Sequence, residues 1–307
     1  MFGLRLGARV PPRHRGTFRA GWSGLAEAVS LAAAGLVVAG LAASGFAAPL
    51  SAQGLQRRAA AVRDGAVGFR YAAAPGVYGT DDGVIIVRRN GHTSIMHGDV
   101  RGDVSGLRTA DLDAAGCLCK AGPVRVVLVK RGGAVSRLET VVGDRWPAVS
   151  DSVRDLGEVA PQDAADFLLV LVPDAPRRVT DDAIVAATLG RDVVLWRDLL
   201  PLARDRSLAT GKRKQVVFWL GQEASDAVLG PLRDLVLADD DDIAVRKSAI
   251  FALSQHEGSK AVPTLMRLAG SDKLDPRLRK QAFFWLAQHD DPEVVDFFEK
   301  LLTGGRR

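Results

Sequence analysis

The chain has 307 residues, 47% of them apolar, with 41 Lys and Arg, 36 Asp and Glu and two cysteines; that is enough for two conventional cores and too few thiols for a disulfide-built scaffold. The formal charge of +5 belongs to the leader: residues 1–52 hold five arginines and one acid, and the other 255 residues carry 36 basic and 35 acidic side chains. Near-neutrality beyond the leader excludes nucleic acid as the expected partner, because a binder of phosphate backbones needs a basic footprint.

Arg5, Arg9, Arg13, Arg15 and Arg19 precede an uncharged stretch, 28–52, that includes the apolar run Leu31 to Leu41 and ends in small residues. A basic flank, an apolar segment and small residues are the layout of a secretory signal. Cleavage after Ala48 or Ala52 is expected, with the mature chain starting near Gln53 outside the cytoplasm. The competing reading is an uncleaved anchor, since the run is nearly long enough to span a bilayer, and only then is the membrane a partner.

Residues 53–150 switch to period-two patterning. Val124 to Lys130 and Ala134 to Val142 flank Arg131-Gly132-Gly133 and read as a hairpin; Ala66 to Ala72 and Val84 to Arg88 are further strands, with a turn at Asp81-Asp82-Gly83. A small, mostly antiparallel β domain follows. The polar, glycine-punctuated stretch between Asn90 and Gly116 is expected to be a long exposed loop. A linker begins at Trp146-Pro147, and a helix is expected over Pro161 to Val172 inside a linker-and-helix segment, 151–178.

From residue 179 to 307 one phrase recurs at a 33-residue offset: Arg213-Lys-Gln-Val-Val-Phe-Trp-Leu-Gly-Gln222, Arg246-Lys-Ser-Ala-Ile-Phe-Ala-Leu-Ser-Gln255 and Arg279-Lys-Gln-Ala-Phe-Phe-Trp-Leu-Ala-Gln288. A second run aligns Leu232, Leu265 and Phe298, then Leu235, Leu268 and Leu301. A fixed period of this length is the mark of a stacked helical array. The first run is apolar around most of its circumference, which suits a helix covered on both sides. Gly221, Ser254 and Ala287 let neighbours approach. Asp226 and Ser259 are placed to cap second helices, and Asp242, Asp275-Pro276 and Asp291-Pro292 to start helices. Leu199 and Leu202 fall one period before Leu232 and Leu235, so a fourth, degenerate unit occupies about 179–210, as expected of a terminal repeat.

The phrases Asp242-Ile-Ala-Val-Arg246 and Asp275-Pro-Arg-Leu-Arg279 resemble the bacterial HEAT-like (PBS-lyase-type) repeats of the HEAT-repeat family. The resemblance implies an all-α superhelical solenoid after the β domain, hence an α+β chain. It also implies an interaction scaffold, a minority of the family being lyases for bilin pigments. The acidic position of the first full unit is Ala209, so one rung of an Asp-to-Arg ladder is missing there.

The chain has no Gly-x-Ser-x-Gly elbow, phosphate-cradling glycine loop or His-Glu-x-x-His helix, so no enzyme, cofactor or small-molecule substrate is expected. The alternative reading is a metal- or redox-handling protein or enzyme centred on Cys117 and Cys119 with His92 and His97. Their spacing matches no familiar ligand set, and no metal is expected. Asp239 to Asp242 reads as a solvated turn rather than a calcium loop. The Arg-Lys pairs at 213, 246 and 279 invite a basic ladder for an anionic partner, but Asp242 and Asp275 lie four residues before Arg246 and Arg279, which favours intrahelical pairing. Trp219 and Trp285 read as core, and His256 and His289 as turn residues. The expected function is to bind another protein through the outer side of the second helices: Arg233, Asp234, Met266, Arg267, Glu299 and Lys300.

Overall fold

A computed structural model describes residues 51–304 except 82, 90–91, 98–118, 148–151, 224, 240 and 257–258. The leader ahead of residue 51 and Cys117 lie outside the described residues. The described chain runs α1 (Ala52–Ala60), β1 (Gly65–Tyr71), β2 (Val77–Gly79), β3 (Val84–Arg89), β4 (His92–His97), β5 (Val124–Arg131), β6 (Ala134–Val142) and β7 (Val153–Glu158). Helices follow: α2 (Pro161–Val170), α3 (Arg177–Thr188), α4 (Trp196–Arg204), α5 (Thr210–Gly221), α6 (Leu229–Leu237), α7 (Ile243–Ser254), α8 (Val262–Ala269), α9 (Pro276–Leu286) and α10 (Pro292–Gly304). The fold is α+β.

The hairpin of β5 and β6 forms as its pattern requires. Gly132 and Gly133 take φ of 59° and 89°, the double positive φ of a tight two-residue turn that a side chain resists. One sheet has the order β6-β5-β1-β7, with β1 antiparallel to β5 and parallel to β7. A second, antiparallel sheet has the order β2-β3-β4. Two expectations are corrected here. Residues 153–158, read as linker, form β7, whose single buried residue, Leu156, gives it no alternating apolar signature. His92–His97, placed in an exposed loop, forms β4 by pairing with β3 from Arg89↔His92 to Val84↔His97.

The core is continuous from the sheet into the helices. α1 buries Leu55 and Ala59 and is capped by Ser51, while the Ala52 amide donates to Asp163 at 2.9 Å. The buried Lys130 ammonium donates to Ala59 O at 2.7 Å, and burial pushes its pKa down. The Tyr71 hydroxyl donates to Ala186 O at 2.5 Å, joining β1 to α3, and burial pushes this phenol far up. The degenerate first unit, α3 with α4, therefore rests on the β region through a side its successors turn to one another.

The remaining units pair α5 with α6, α7 with α8, and α9 with α10. α7 buries Val245, Ala249, Ile250, Ala252 and Leu253; α8 buries the stripe Val262, Leu265 and Leu268. A Cβ built on Gly221 would lie 2.7 Å from Ala252 Cα, so α5 and α7 meet at backbone contact and tolerate nothing larger there. Asp242, Asp275 and Asp291 accept from the amides of Ala244, Arg277 and Glu293, as helix starts require. Asp226 does not cap: Ser225 takes that place, and Asp226 accepts from Lys260 and faces His256. Leu301, a core position by register, is exposed because no following unit among the described residues covers it.

Leu253 has no exposure, enclosed by units on both sides. Leu253→Ala should cost about 2–5 kcal/mol, mostly through the cavity left behind. Arg267→Ala, on the exposed side of α8, should cost under about 0.5 kcal/mol. Equal denaturation midpoints for the two variants would contradict this packing.

Candidate functional site

The repeated Arg-Lys pair is divided by the fold, the lysine standing one step further around the helix than the arginine. Arg213 and Arg246 turn inward, and Arg279 is partly exposed. Arg213 Nε donates to Ala203 O at 2.9 Å and Arg246 Nε to Val236 O at 2.8 Å, in each case a carbonyl in the last turn of the preceding second helix. Those carbonyls have no partner within their own helix and sit at the negative end of its dipole, where a buried cation is stabilising. The expected pairing four residues back is absent. Arg246 and Arg279 reach seven residues back instead, to Asp239 at 2.9 Å and Asp272 at 2.8 Å. The residue seven before Arg213 is Arg206, so Arg213 takes its carboxylate from the next turn: Nη1 donates to Asp241 at 2.7 Å, with a second bond from Nη2. Both side chains of that pair are about 5% exposed or less. The tetra-aspartate turn is thus not simply solvated: Asp239 and Asp241 each neutralise a repeat arginine, and Asp242 caps α7 while accepting from Thr210 at 2.7 Å.

These bonds set the carboxyl chemistry. Hydrogen bonding from Arg213 holds Asp241 below the usual carboxylate range, that from Thr210 does so for Asp242, and that from Lys260 for Asp226; Arg277 holds Asp275 at about 2.

The lysines turn outward. Lys214, Lys247 and Lys280 each stand four residues before a phenylalanine, Phe218, Phe251 and Phe284, and so share its helix face. None of the three lysines has an ion-pair or hydrogen-bond partner among the described residues. The outer phenylalanines are not core: Phe218 is 39% exposed and Phe284 55%. Phe218 stacks on Phe251 with centroids 6.3 Å apart, Phe251 meets Trp285 at 4.9 Å, and Trp285 meets Phe284 at 5.0 Å. Trp219 closes the other end against Phe218 at 5.4 Å. A row of rings therefore crosses α5, α7 and α9, beside a row of unpaired ammonium groups. Its signal was present in the sequence as a Lys-to-Phe spacing of four at each repeat.

The residues expected to bind a partner lie on the other layer. Arg233 pairs with its neighbour Asp234 at 2.7 Å, and both are exposed or nearly so. Arg267 is exposed and bonds within its own helix, to Thr264 Oγ1 at 3.1 Å. Met266, expected to point away, is half-buried against the core, because α8 leans on α9. Glu299 and Lys300 are exposed on α10.

The metal or redox alternative gains nothing from the geometry. His92 and His97 occupy opposite ends of β4, which separates their backbones by about 17 Å. Cys119 is disulfide-bonded, and no group of three His, Cys, Asp or Glu able to hold a metal is found among the described residues. The β region has a cleft of about 650 Å³ lined by Arg70, Tyr78, Arg125, Glu158 and Arg191 among others. Two of its arginines are committed, Arg70 to Asp155 at 2.8 Å and Arg125 to Gly143 O at 2.8 Å with its guanidinium 4.8 Å over the Trp146 ring. No helix among the described residues is long and apolar enough to cross a membrane.

Comparison with known families matches residues 235–306 to HEAT repeats. No curated protein matches the chain. HEAT repeats are generally non-enzymatic and generally mediate protein–protein interaction.

Removing one partner of a buried pair leaves an uncompensated charge, so Asp241→Ala should cost about 3–5 kcal/mol at neutral pH. Asp272→Ala removes a carboxylate that is 97% exposed and should cost about 1 kcal/mol or less. Because the folded pKa of Asp241 is depressed, its contribution is complete above the ordinary carboxylate value of about 3.9 and is lost as pH falls through the folded value. Acid titrations of stability should therefore converge for wild type and Asp241→Ala as pH falls below the ordinary carboxylate range; a constant gap at all pH would mean the pair is not ionised in the fold.

Proposed function

With residues 235–306 carrying HEAT repeats, we propose that this protein is a non-catalytic scaffold that works outside the cytoplasm and binds another protein through the repeat array. The observation that carries this reading is the partly exposed row of rings across α5, α7 and α9. Apolar rings cost free energy when left in water, and aromatic side chains are the anchors most enriched where proteins meet. The second-helix residues Arg233, Asp234, Met266, Arg267, Glu299 and Lys300 offer a mixed-charge surface of the kind that sets specificity and encounter rate. Two of those charges already neutralise each other, so the ring row supplies the affinity in this proposal.

Export rests on the arginine-flanked apolar leader, and the disulfide at Cys119 fits an oxidising compartment. The cap on α1 refines where the leader would be cut. Cleavage after Ala52 removes Ser51, whose side chain accepts from the Gly54 amide, at a cost of about 1 kcal/mol; cleavage after Ala48 keeps it. Mass spectrometry of the protein from the envelope fraction should find a chain that retains Ser51. An intact N-terminus on cytosolic protein would refute export.

Affinity capture from the envelope fraction should recover a protein partner with wild type and equally with Cys117→Ser, Cys119→Ser. A partner lost only with the cysteine variant would move the function into the β region, and no specific partner at all would sink the scaffold reading.

A further inference from the structure

Resting on the scaffold reading, we propose that the first-helix face of the repeats binds an extended acidic peptide segment of a partner protein, with its carboxylates on Lys214, Lys247 and Lys280 and its apolar side chains on the ring row. Three observations select this occupant. The lysine row is the charge complement of a carboxylate ligand, and it is unanswered within the described protein, whereas the arginines beside it are neutralised. The exposed acids in the turns ahead of these helices, Asp239 and Asp272, are each taken up by a repeat arginine. The rings supply an apolar track parallel to the lysines, so the ligand must carry both kinds of group along one direction.

Spacing sets the register of that ligand. Packed helices lie about 8–10 Å apart, so equivalent positions on α5, α7 and α9 repeat on about that scale. A chain in the polyproline II conformation rises about 3.1 Å per residue with three residues per turn, so every third residue returns to the lysine row. A peptide lying across the three helices therefore presents a carboxylate at every third position and apolar side chains between, where they meet Phe218, Phe251 and Phe284. A helical ligand would bring acids back at another interval and would not span the array with so few residues.

The near-neutral charge beyond the leader disfavours the other polyanion class, nucleic acid, which would need a wider basic surface than one row.

The test is fluorescence anisotropy with the full chain and a labelled peptide repeating Glu-Phe-Ser. Wild type should bind it saturably, and binding should weaken as salt rises, since the lysines are exposed or half-buried. The triple variant Lys214→Glu, Lys247→Glu, Lys280→Glu should bind about tenfold or more weakly while melting like wild type. Phe218→Ala with Phe284→Ala should weaken binding and leave its salt dependence unchanged. Absence of saturable binding, equal binding of a Lys-Phe-Ser peptide, or unchanged binding by the triple variant overturns the proposal. A single-stranded oligonucleotide competing at equal concentration would assign the row to nucleic acid and overturn it as well. Loss of partner capture on Arg233→Glu with Arg267→Glu, but not on the lysine variant, would leave the scaffold reading standing and move its surface to the second helices.

Discussion

A buried guanidinium holding the end of the previous helix is the interaction on which the array depends. Each helix pair finishes with carbonyls that cannot be satisfied internally, and packing the next pair against that end would bury them. Arg213 and Arg246 answer this by reaching from the start of one unit to the last turn of the unit before, at Ala203 and Val236. The cation then needs an anion, and the turns between units supply it. Cap, counterion and stacking are thus one connected arrangement, and it explains why the inter-unit turns are rich in aspartate without being metal loops.

The same arrangement decides what the surface offers. An arginine at the first position of the pair is drawn inward, so the adjacent lysine, one residue further around the helix, is turned out. Four residues on, the phenylalanine follows the lysine to the surface. The repeat therefore propagates a basic and aromatic face as a consequence of how it solves its own core problem. Neighbouring rings stack across units because Gly221 lets α5 and α7 approach to backbone contact.

At its other end the array is seated on a sheet rather than on another repeat. Tyr71 bonds α3, Ala74 N donates to Leu189 O, and Ala73 bridges Gly190, so the first unit meets β1 and the chain after it through the side that its successors turn to one another. That is a physical reason for its degenerate sequence: residues facing a sheet edge and loop cannot keep the pattern of residues facing a copy of themselves.

What the sequence determined by itself were the features repeated or locally encoded. The 33-residue period, the β5–β6 hairpin with its paired glycines, the α2 helix and the caps at Asp242, Asp275 and Asp291 were legible, because each depends on spacing within one element or between copies of it. The strands β4 and β7 were not legible: neither carries an alternating apolar pattern, and each exists because a neighbouring strand leaves an edge whose backbone groups need partners. The orientation of the repeat face was also decided only in three dimensions. Phe218 and Leu220 look alike in the sequence, yet Leu220 is buried and Phe218 is not, since which arc of an apolar helix is covered depends on where the neighbouring units stand. Likewise Asp241 and Asp239 are two residues apart in one acidic run, and only the placement of Arg213 buries the first while leaving the second in water.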